Sequence, residues 1–209
     1  MKIVVCIKQT FDTEARISVT EDGQIDDGSV LFIINPYDEY AVEEAIRIKE
    51  QHGGEITVIS VGGNNAQKSL QHCLAMGADQ ALLVDDAHLK GADGHVFALV
   101  LARILNTIDY NLILCGRESV DVAASEVHTR LAEILDLPQV NVVSSLKVLD
   151  AKKAEATRDI EGGKEFIEVD LPAVISVQKG INEVRYPSLR LVMKASKIPI
   201  KTFSLKDLD

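Results

Sequence analysis

Residues 115–135, CGRESVDVAASEVHTRLAEIL, have the composition of a phosphate site. An apolar strand ends in glycine, a short polar turn follows, and a helix is predicted over residues 119–135. A turn built from glycine and small residues leads backbone N–H groups to a helix N-terminus, where phosphate binds well. The predicted helix nevertheless opens with two acidic residues. The residues alone therefore leave open whether this stretch is a nucleotide site or only a connection.

Other catalytic chemistries find little support in the sequence. Residues 62–69, GGNNAQKS, look like a P-loop, but Gln67 stands where the second glycine is needed to wrap a triphosphate. No G-x-G-x-x-G follows the first predicted strand. None of the five histidines has metal-ligand spacing with another, and no serine lies in G-x-S-x-G. We predict no catalytic residue and no metal site.

Cysteine and histidine positions give weaker signals. The three cysteines, Cys6, Cys73 and Cys115, lack C-x-x-C spacing, so free thiols and a cytoplasmic location are expected. Cys6 and Cys115 each lie near the carboxyl end of a predicted central strand, where a role as a small hydrophobic residue is favoured over redox chemistry. His128 is expected to be a solvent-facing helical residue, with ligand contact as the alternative.

The amino-acid composition and net charge limit the kinds of partner that the protein is expected to bind. The 209 residues carry a net charge of -10, which argues against nucleic acid because that partner needs a basic surface. Aliphatic residues dominate and aromatics make up 4%, as suits buried parallel strands. The start, MKIVVCIK, predicts a strand rather than a targeting peptide, and no apolar run approaches the roughly 20 residues that span a bilayer. The protein is expected not to be membrane-spanning.

Strands and helices alternate along the first 140 residues and predict a doubly wound, mostly parallel sheet of about five strands. Asn35 and Pro36 are expected to cap and open a helix, and Asp93 to cap a helix that ends near residue 108. The remaining predicted elements are strands at 2–8, 55–61, 81–84 and 112–115, a helix at 64–76 and a small hairpin at 16–24 with its turn at residues 22–23. Such sheets bind ligands at the carboxyl ends of their strands, where the strand order reverses.

Beyond residue 140 the pattern becomes extended, with a hairpin turn predicted at residues 162–163. The last part, from residue 182, is irregular apart from a short helix expected after Pro187. We therefore expect a domain at residues 1–180 and a partner-docking segment at 181–209. Four loops on the binding edge, at residues 6–9, 35–36, 61–62 and 116–127, suit a nucleotide held by backbone groups, with a purely structural rim as the alternative.

Residues 156–176, ATRDIEGGKEFIEVDLPAVIS, resemble the signature of the electron-transfer flavoprotein beta subunit family (FixA included). The shared features are a small residue, a base at Arg158, an acid-Gly-Gly at 161–163, Glu165, and Pro172 before an apolar pair. Residues 35–50, 74–79 and 181–195 agree with the same family in the same order. The resemblance covers nearly the whole chain.

This resemblance implies a three-layer, Rossmann-like α/β domain that binds an adenine nucleotide, with an antiparallel extension. It also implies a heterodimer with an alpha subunit, which holds the redox-active FAD, while the beta subunit binds AMP or a second FAD. Electrons would pass from an acyl-CoA or other dehydrogenase to a quinone oxidoreductase, ferredoxin or another acceptor, with bifurcation in one branch. The chain would be an electron-carrier subunit and not an enzyme by itself. A nucleotide-free structural or regulatory partner of the same fold is the alternative.

The family pattern also assigns the site. Cys6 would lie against the adenine, Asn35 and Val61, with Gly62, would border the ribose and adenine, and loop 116–127 would hold the phosphate. The loop residues expected at the cofactor are Gly116, Arg117, Asp121, Ser125, Glu126 and Val127.

The loop departs from the family at its end, where Ser125, Glu126, Val127 and His128 replace a polar residue, Gln, Thr or Val, and Gly. Glu126 would repel a phosphate by about 3 kcal/mol before screening, at a dielectric of about 20 and about 5 Å. Arg117 or a protonated His128 is expected to offset this repulsion, unless Glu126 accepts from ribose hydroxyls instead. The chain also ends where family members continue into an arm that clasps the alpha subunit.

Overall fold

Helices and strands alternate in the computed structural model, which describes residues 1–23, 25–26, 28 and 30–208. The helices are α1 (Pro36–His52), α2 (Gln67–Met76), α3 (Gly94–Leu105), α4 (Val127–Ile134) and α5 (Leu189–Ala195). The strands are β1 (Lys2–Ile7), β2 (Gln9–Phe11), β3 (Ser18–Val19), β4 (Ile25–Asp26), β5 (Phe32–Ile34), β6 (Glu55–Val61), β7 (Gln80–Val84), β8 (Leu112–Gly116), β9 (Gln139–Val148), β10 (Lys153–Ile160), β11 (Gly163–Asp170), β12 (Ala173–Val177) and β13 (Ile200–Phe203).

The main sheet has nine strands in the order β11-β10-β9-β12-β8-β1-β6-β7-β13. Neighbours from β9 to β13 in this order run parallel, whereas β10 and β11 are antiparallel additions at one edge. The chain leaves β1 for β6 on one side and later returns to β8 on the other. The strand order therefore reverses between β1 and β8, and the predicted doubly wound α/β class with an antiparallel extension is confirmed.

The sheet is the middle of three layers. Ile3 and Val5 of β1 pack with α1 and α2 on one face, whereas Val4 and Cys6 pack with α3 and α4 on the other. This split follows from the alternation of side chains along a strand, and it explains why the central strands are apolar at nearly every position. Among the described residues, no helix combines the length and the apolarity required to cross a membrane.

The start of α4 differs from the prediction. Residues 119–135 were expected to be helical throughout, but α4 begins at Val127. Ala123 and Ser125 have φ angles of 53° and 50°, in the left-handed region that a right-handed helix excludes. Residues 117–126, called the switch loop below, therefore connect β8 to α4 as an irregular segment.

Both predicted hairpins form, with changes in their turns. Ile160 pairs with Gly163, so the two-residue turn is Glu161-Gly162 and not Gly162-Gly163. Gly162 takes the positive φ of 79° that such turns require. In the earlier hairpin β3 pairs antiparallel with β4, so the second strand lies beyond the predicted range of 16–24, and Gln24 lies outside the described residues.

The final segment is more regular than predicted. The expected helix after Pro187 is α5, which packs against α2, and the unpredicted β13 joins the edge of the sheet beside β7. Asn182 Nδ2 also donates to the carbonyl oxygen of Tyr40 in α1 at 3.0 Å. The boundary between a domain at 1–180 and a docking segment at 181–209 stays a prediction.

Candidate functional site

A cavity of about 310 Å³ lies at the carboxyl ends of β1 and β8, where the strand order reverses. Cys6 and Cys115 are register partners on these two strands and both reach the cavity. The switch loop and the N-termini of α3 and α4 form other parts of its wall. The lining residues are Cys6, Ile7, Lys8, Asn35, Asp38, Val61, Ala92, Asp93, Gly94, Phe97, Leu101, Cys115, Gly116, Glu118, Ser119, Val122, Ala124, Ser125, Glu126, Val127 and His128.

Asp38, which lines the cavity, links the carboxyl ends of β1 and β8. Its carboxylate accepts a hydrogen bond from the backbone N–H of Lys8 at 2.7 Å and from that of Gly116 at 3.1 Å. Burial raises the pKa of Asp38 to about 7, although these backbone donors act in the opposite direction. The sequence prediction missed Asp38, whose only local signal was its position in the first turn of α1.

Asn35 anchors the switch loop from below. Its side-chain Nδ2 donates to the carbonyl oxygen of Glu118 at 2.8 Å, and its Oδ1 accepts from the N–H of Val120 at 3.1 Å. The residue precedes α1, whose first position is Pro36 as predicted, but its side chain makes no capping hydrogen bond. Asn35 is thus the N-cap residue, as predicted, but the switch loop uses both polar atoms of its buried amide.

Lys8 crosses from the end of β1 to the switch loop. Its Nζ lies 2.7 Å from Asp121 Oδ2 and 3.3 Å from Ser119 Oγ. Ser119 lines the cavity, whereas Asp121 does not. Sequence reasoning named the loop at residues 6–9 but did not select Lys8, since a single lysine after a strand carries no specific pattern.

Glu126 is paired with Arg130, one turn along α4. The Glu126 Oε2 atom accepts from Arg130 Nη2 at 2.7 Å and from Nε at 2.9 Å. The same carboxylate covers Gly94 at the start of α3, where an added Cβ would lie 2.3 Å from Oε1. Arg130 thus offsets the charge of Glu126, a role that the sequence had given to Arg117 or His128.

Arg117 and His128 take other positions. The Arg117 guanidinium lies over the Tyr37 ring, 5.6 Å from its centroid, with Nε 3.3 Å from Glu118 Oε1, and Arg117 does not line the cavity. His128 is only 5% exposed and lines the cavity, so the solvent-facing interpretation is wrong. Burial lowers the pKa of His128 to about 4, so a neutral imidazole faces the cavity at pH 7.

The two cavity cysteines are free thiols in contact with an apolar layer. A hydrogen bond with Cys6, together with burial, raises the pKa of the Cys115 thiol well above its ordinary value. Such a thiol is a poor nucleophile because the reactive form is the thiolate. The structure thus agrees with the prediction that these cysteines act as small hydrophobic residues.

Seven of the ten residues predicted at the cofactor line the cavity. They are Cys6, Asn35, Val61, Gly116, Ser125, Glu126 and Val127. The other three lie outside it: Arg117 and Asp121 in the switch loop, as described, and Gly62, whose N–H donates to Val84 O at the end of β7. The seven residues therefore lie around one cavity, but their contact with a cofactor stays a prediction.

Comparisons with known proteins identify the family. The electron transfer flavoprotein domain matches residues 22–208. The electron transfer flavoprotein subunit beta of Bacillus subtilis is 45% identical over 100% of this chain and 81% of the relative. The corresponding subunit of Syntrophomonas wolfei is 44% identical over 97% and 79%, and the caffeyl-CoA reductase-Etf complex subunit CarD of Acetobacterium woodii is 37% identical over 100% and 80%. The chain therefore belongs to the electron transfer flavoprotein beta subunit family.

Proposed function

We propose that this chain binds an adenine nucleotide, either AMP or a second FAD, in the cavity between β1 and β8. It works as one half of a heterodimer with an electron transfer flavoprotein alpha subunit, whose redox-active FAD would supply the electron transfer itself. The observation that carries the proposal is the cavity at the reversal of strand order, covered by an anchored loop. Parallel sheets bind nucleotides at this position.

The size and chemistry of the cavity support a nucleotide. Its volume of about 310 Å³ lies at the lower end of the range for small-molecule sites, which favours a mononucleotide or the adenosine part of a larger cofactor. Aliphatic side chains and the two thiols provide an apolar surface for a base, while Ser119 and Ser125 provide hydroxyls for ribose. Neither a Walker loop nor a metal is required.

The heterodimer places this chain between redox partners. We propose an acyl-CoA or other dehydrogenase as electron donor and a quinone oxidoreductase or ferredoxin as acceptor, in a non-catalytic carrier role. The name of the Acetobacterium relative refers to a caffeyl-CoA reductase complex, which supports a CoA-thioester dehydrogenase as one class of partner. The cavity thiols and the neutral His128 provide binding surface rather than reactive groups.

Acidic residues around the cavity favour a second candidate, a nucleotide-free structural or regulatory partner. Of the residues that the structure describes, four carboxylates, those of Asp38, Asp93, Glu118 and Glu126, line the cavity together with a single lysine. Each carboxylate has a partner: backbone amides for Asp38 and Asp93, Ser125 for Glu118, and Arg130 for Glu126. These contacts reduce the repulsion of a phosphate, and we therefore favour the nucleotide-binding role.

Release of bound small molecules tests the two candidates. The chain is co-expressed with an electron transfer flavoprotein alpha subunit, the complex is denatured, and the supernatant is separated by chromatography. One FAD with one AMP, or two FADs, per heterodimer supports nucleotide binding. One FAD alone, with no adenine nucleotide assignable to this chain, supports the structural role.

A further inference from the structure

Lys8 is the one lysine or arginine among the described residues that line the cavity. Its backbone is fixed by the hydrogen bond from its N–H to Asp38, so the side chain starts from a rigid strand end. From there Nζ reaches Ser119 at the cavity wall and Asp121 outside it. The ammonium group therefore lies at the mouth of the cavity, between the interior and the switch loop.

Lys8 is also held by a partner that solvent reaches and that another anion can replace. The Lys8 and Asp121 side chains are 39% and 24% exposed, and an ion pair this open to solvent contributes little stability. The carboxylates of Asp38 and Asp93 instead hold backbone amides that fix the strand ends and the start of α3. For an anion that enters the cavity, Lys8 is thus the one lining cation among the described residues, and Asp121 is the carboxylate already bound to it.

We infer that Lys8 binds the phosphate ester of an adenosine ligand in this cavity, and that Asp121 competes with the ligand for Lys8. The inference rests on the proposed function and adds the residue that recognises the anion. The family pattern puts Asp121 among the ligand contacts, whereas the geometry makes it the competitor. The switch loop keeps its position during the exchange, because Asn35 still holds Glu118 and Val120.

Titration of AMP and adenosine into the nucleotide-stripped protein, in the complex in which it is purified, tests the exchange. Wild type should bind AMP more tightly than adenosine. Lys8→Met should weaken AMP binding about 10- to 100-fold, since a charge-assisted contact is lost, and leave adenosine binding unchanged. Asp121→Asn should tighten AMP binding about two- to fivefold. The double variant should bind AMP like Lys8→Met, because Asp121 acts through Lys8.

A matched ion pair serves as control. Lys2 Nζ lies 2.7 Å from Asp109 Oδ2 at the opposite end of β1, away from the cavity. Lys2→Met and Asp109→Asn should leave the affinities for both ligands unchanged. FAD is titrated in parallel to show whether the cavity takes a pyrophosphate or a monophosphate. Lys8→Met should weaken the binding of whichever of the two ligands the cavity takes.

Two results would overturn the inference while leaving the proposed function intact. One is a Lys8→Met protein that keeps the wild-type preference for AMP over adenosine. The other is an Asp121→Asn protein with weakened AMP binding, which would make Asp121 a ligand contact. Wild-type protein that binds neither AMP, adenosine nor FAD would instead refute the proposed function, and the inference with it.

Discussion

The Asp38 carboxylate accepts a hydrogen bond from the Gly116 amide at 3.1 Å, and the backbone of α1 lies directly against this glycine. An added Cβ at Gly116 would be 2.3 Å from Asp38 Oδ1 and 2.8 Å from the carbonyl carbon of Tyr37. Gly116→Ala should therefore lower the free energy of unfolding by about 2–3 kcal/mol, as overpacking against backbone does. Denaturant unfolding measures the change.

Gly62→Ala is the matched control. Gly62 directly follows β6 at the same edge of the sheet, but the nearest atom to an added Cβ is the Ala66 Cβ, at 3.8 Å. This substitution should change stability by less than about 0.5 kcal/mol. If Gly116→Ala destabilised the protein as little as Gly62→Ala, then α1 and β8 would move apart easily and the close approach at Gly116 would have no energetic role.

Asp38 and His128 should give stability opposite dependences on pH. The Asp38 pKa rises from 3.8 to about 7 on folding, so between these values the native state holds a proton that the unfolded chain has released. The contribution of Asp38 to the free energy of unfolding therefore falls as pH rises. The His128 pKa drops from 6.5 to about 4, so the unfolded chain binds the extra proton and stability rises with pH.

Single variants separate the two effects. We compare the change in the free energy of unfolding between about pH 4.5 and 6.5. This change should be more positive for Asp38→Asn than for wild type and less positive for His128→Gln, by about 1–3 kcal/mol in each case. The slope is the measurement, because either variant also shifts the absolute stability. Parallel pH curves for all variants would contradict the assignment.

The sequence predicts the elements whose signals are local. Strand β6 has the bounds expected from its apolar run, and α1 begins at Pro36 as its fixed φ favours. The start of α4 is not local, because the switch loop is held by Asn35, which lies 83 residues from Glu118 in the sequence. No pattern of residues 117–126 alone could reveal that contact.

The site is predictable to a similar extent. Family resemblance selected seven residues that line one cavity, but it missed Lys8 and Asp38, whose roles arise only where β1, α1 and β8 meet. The argument from the charge of Glu126 named Arg117 and His128 as counter-charges, which is wrong. The actual partner, Arg130, follows the i,i+4 spacing on α4, a signal that was available once the helix start was known.

Removal of Asn35 should loosen the switch loop. Asn35→Ala leaves the carbonyl of Glu118 and the amide of Val120 without their side-chain partner, at a cost of about 1–3 kcal/mol. Hydrogen exchange at Val120 should accelerate, while amides in the central strands keep their relative protection. Unchanged exchange at Val120 would mean that the loop is held by other contacts, such as that of Lys8 with Asp121.

Arg130 should be required to neutralise Glu126 beside the cavity. Arg130→Gln exposes the ligand to an unpaired carboxylate, so AMP binding should weaken about two- to fivefold, most strongly at low salt. Adding Glu126→Gln should restore the affinity, and Glu126→Gln alone should tighten binding slightly. If the double variant binds no better than Arg130→Gln, Glu126 does not act on the ligand through its charge.

Arg185 should fasten the final segment to α1. Its Nε and Nη2 atoms bind the buried Glu43 carboxylate at 2.8 and 3.0 Å, and its Nη1 binds the exposed Glu50 at 2.6 Å. Arg185→Met leaves Glu43 with Arg47 and the backbone N–H of residue 185, so the free energy of unfolding should fall by about 2–4 kcal/mol. Arg185→Lys should recover only part of the lost stability, since a lysine ammonium cannot make the bidentate contact of a guanidinium.

Glu50→Gln removes only the exposed half of this contact and should cost less than about 1 kcal/mol. Limited proteolysis then locates the effect, because detachment from α1 should make residues 182–195 the first cleavage site in Arg185→Met but not in Glu50→Gln. Cleavage at the same rate in both variants would show that α5 and β13, through their contacts with α2 and β7, hold the segment without Arg185.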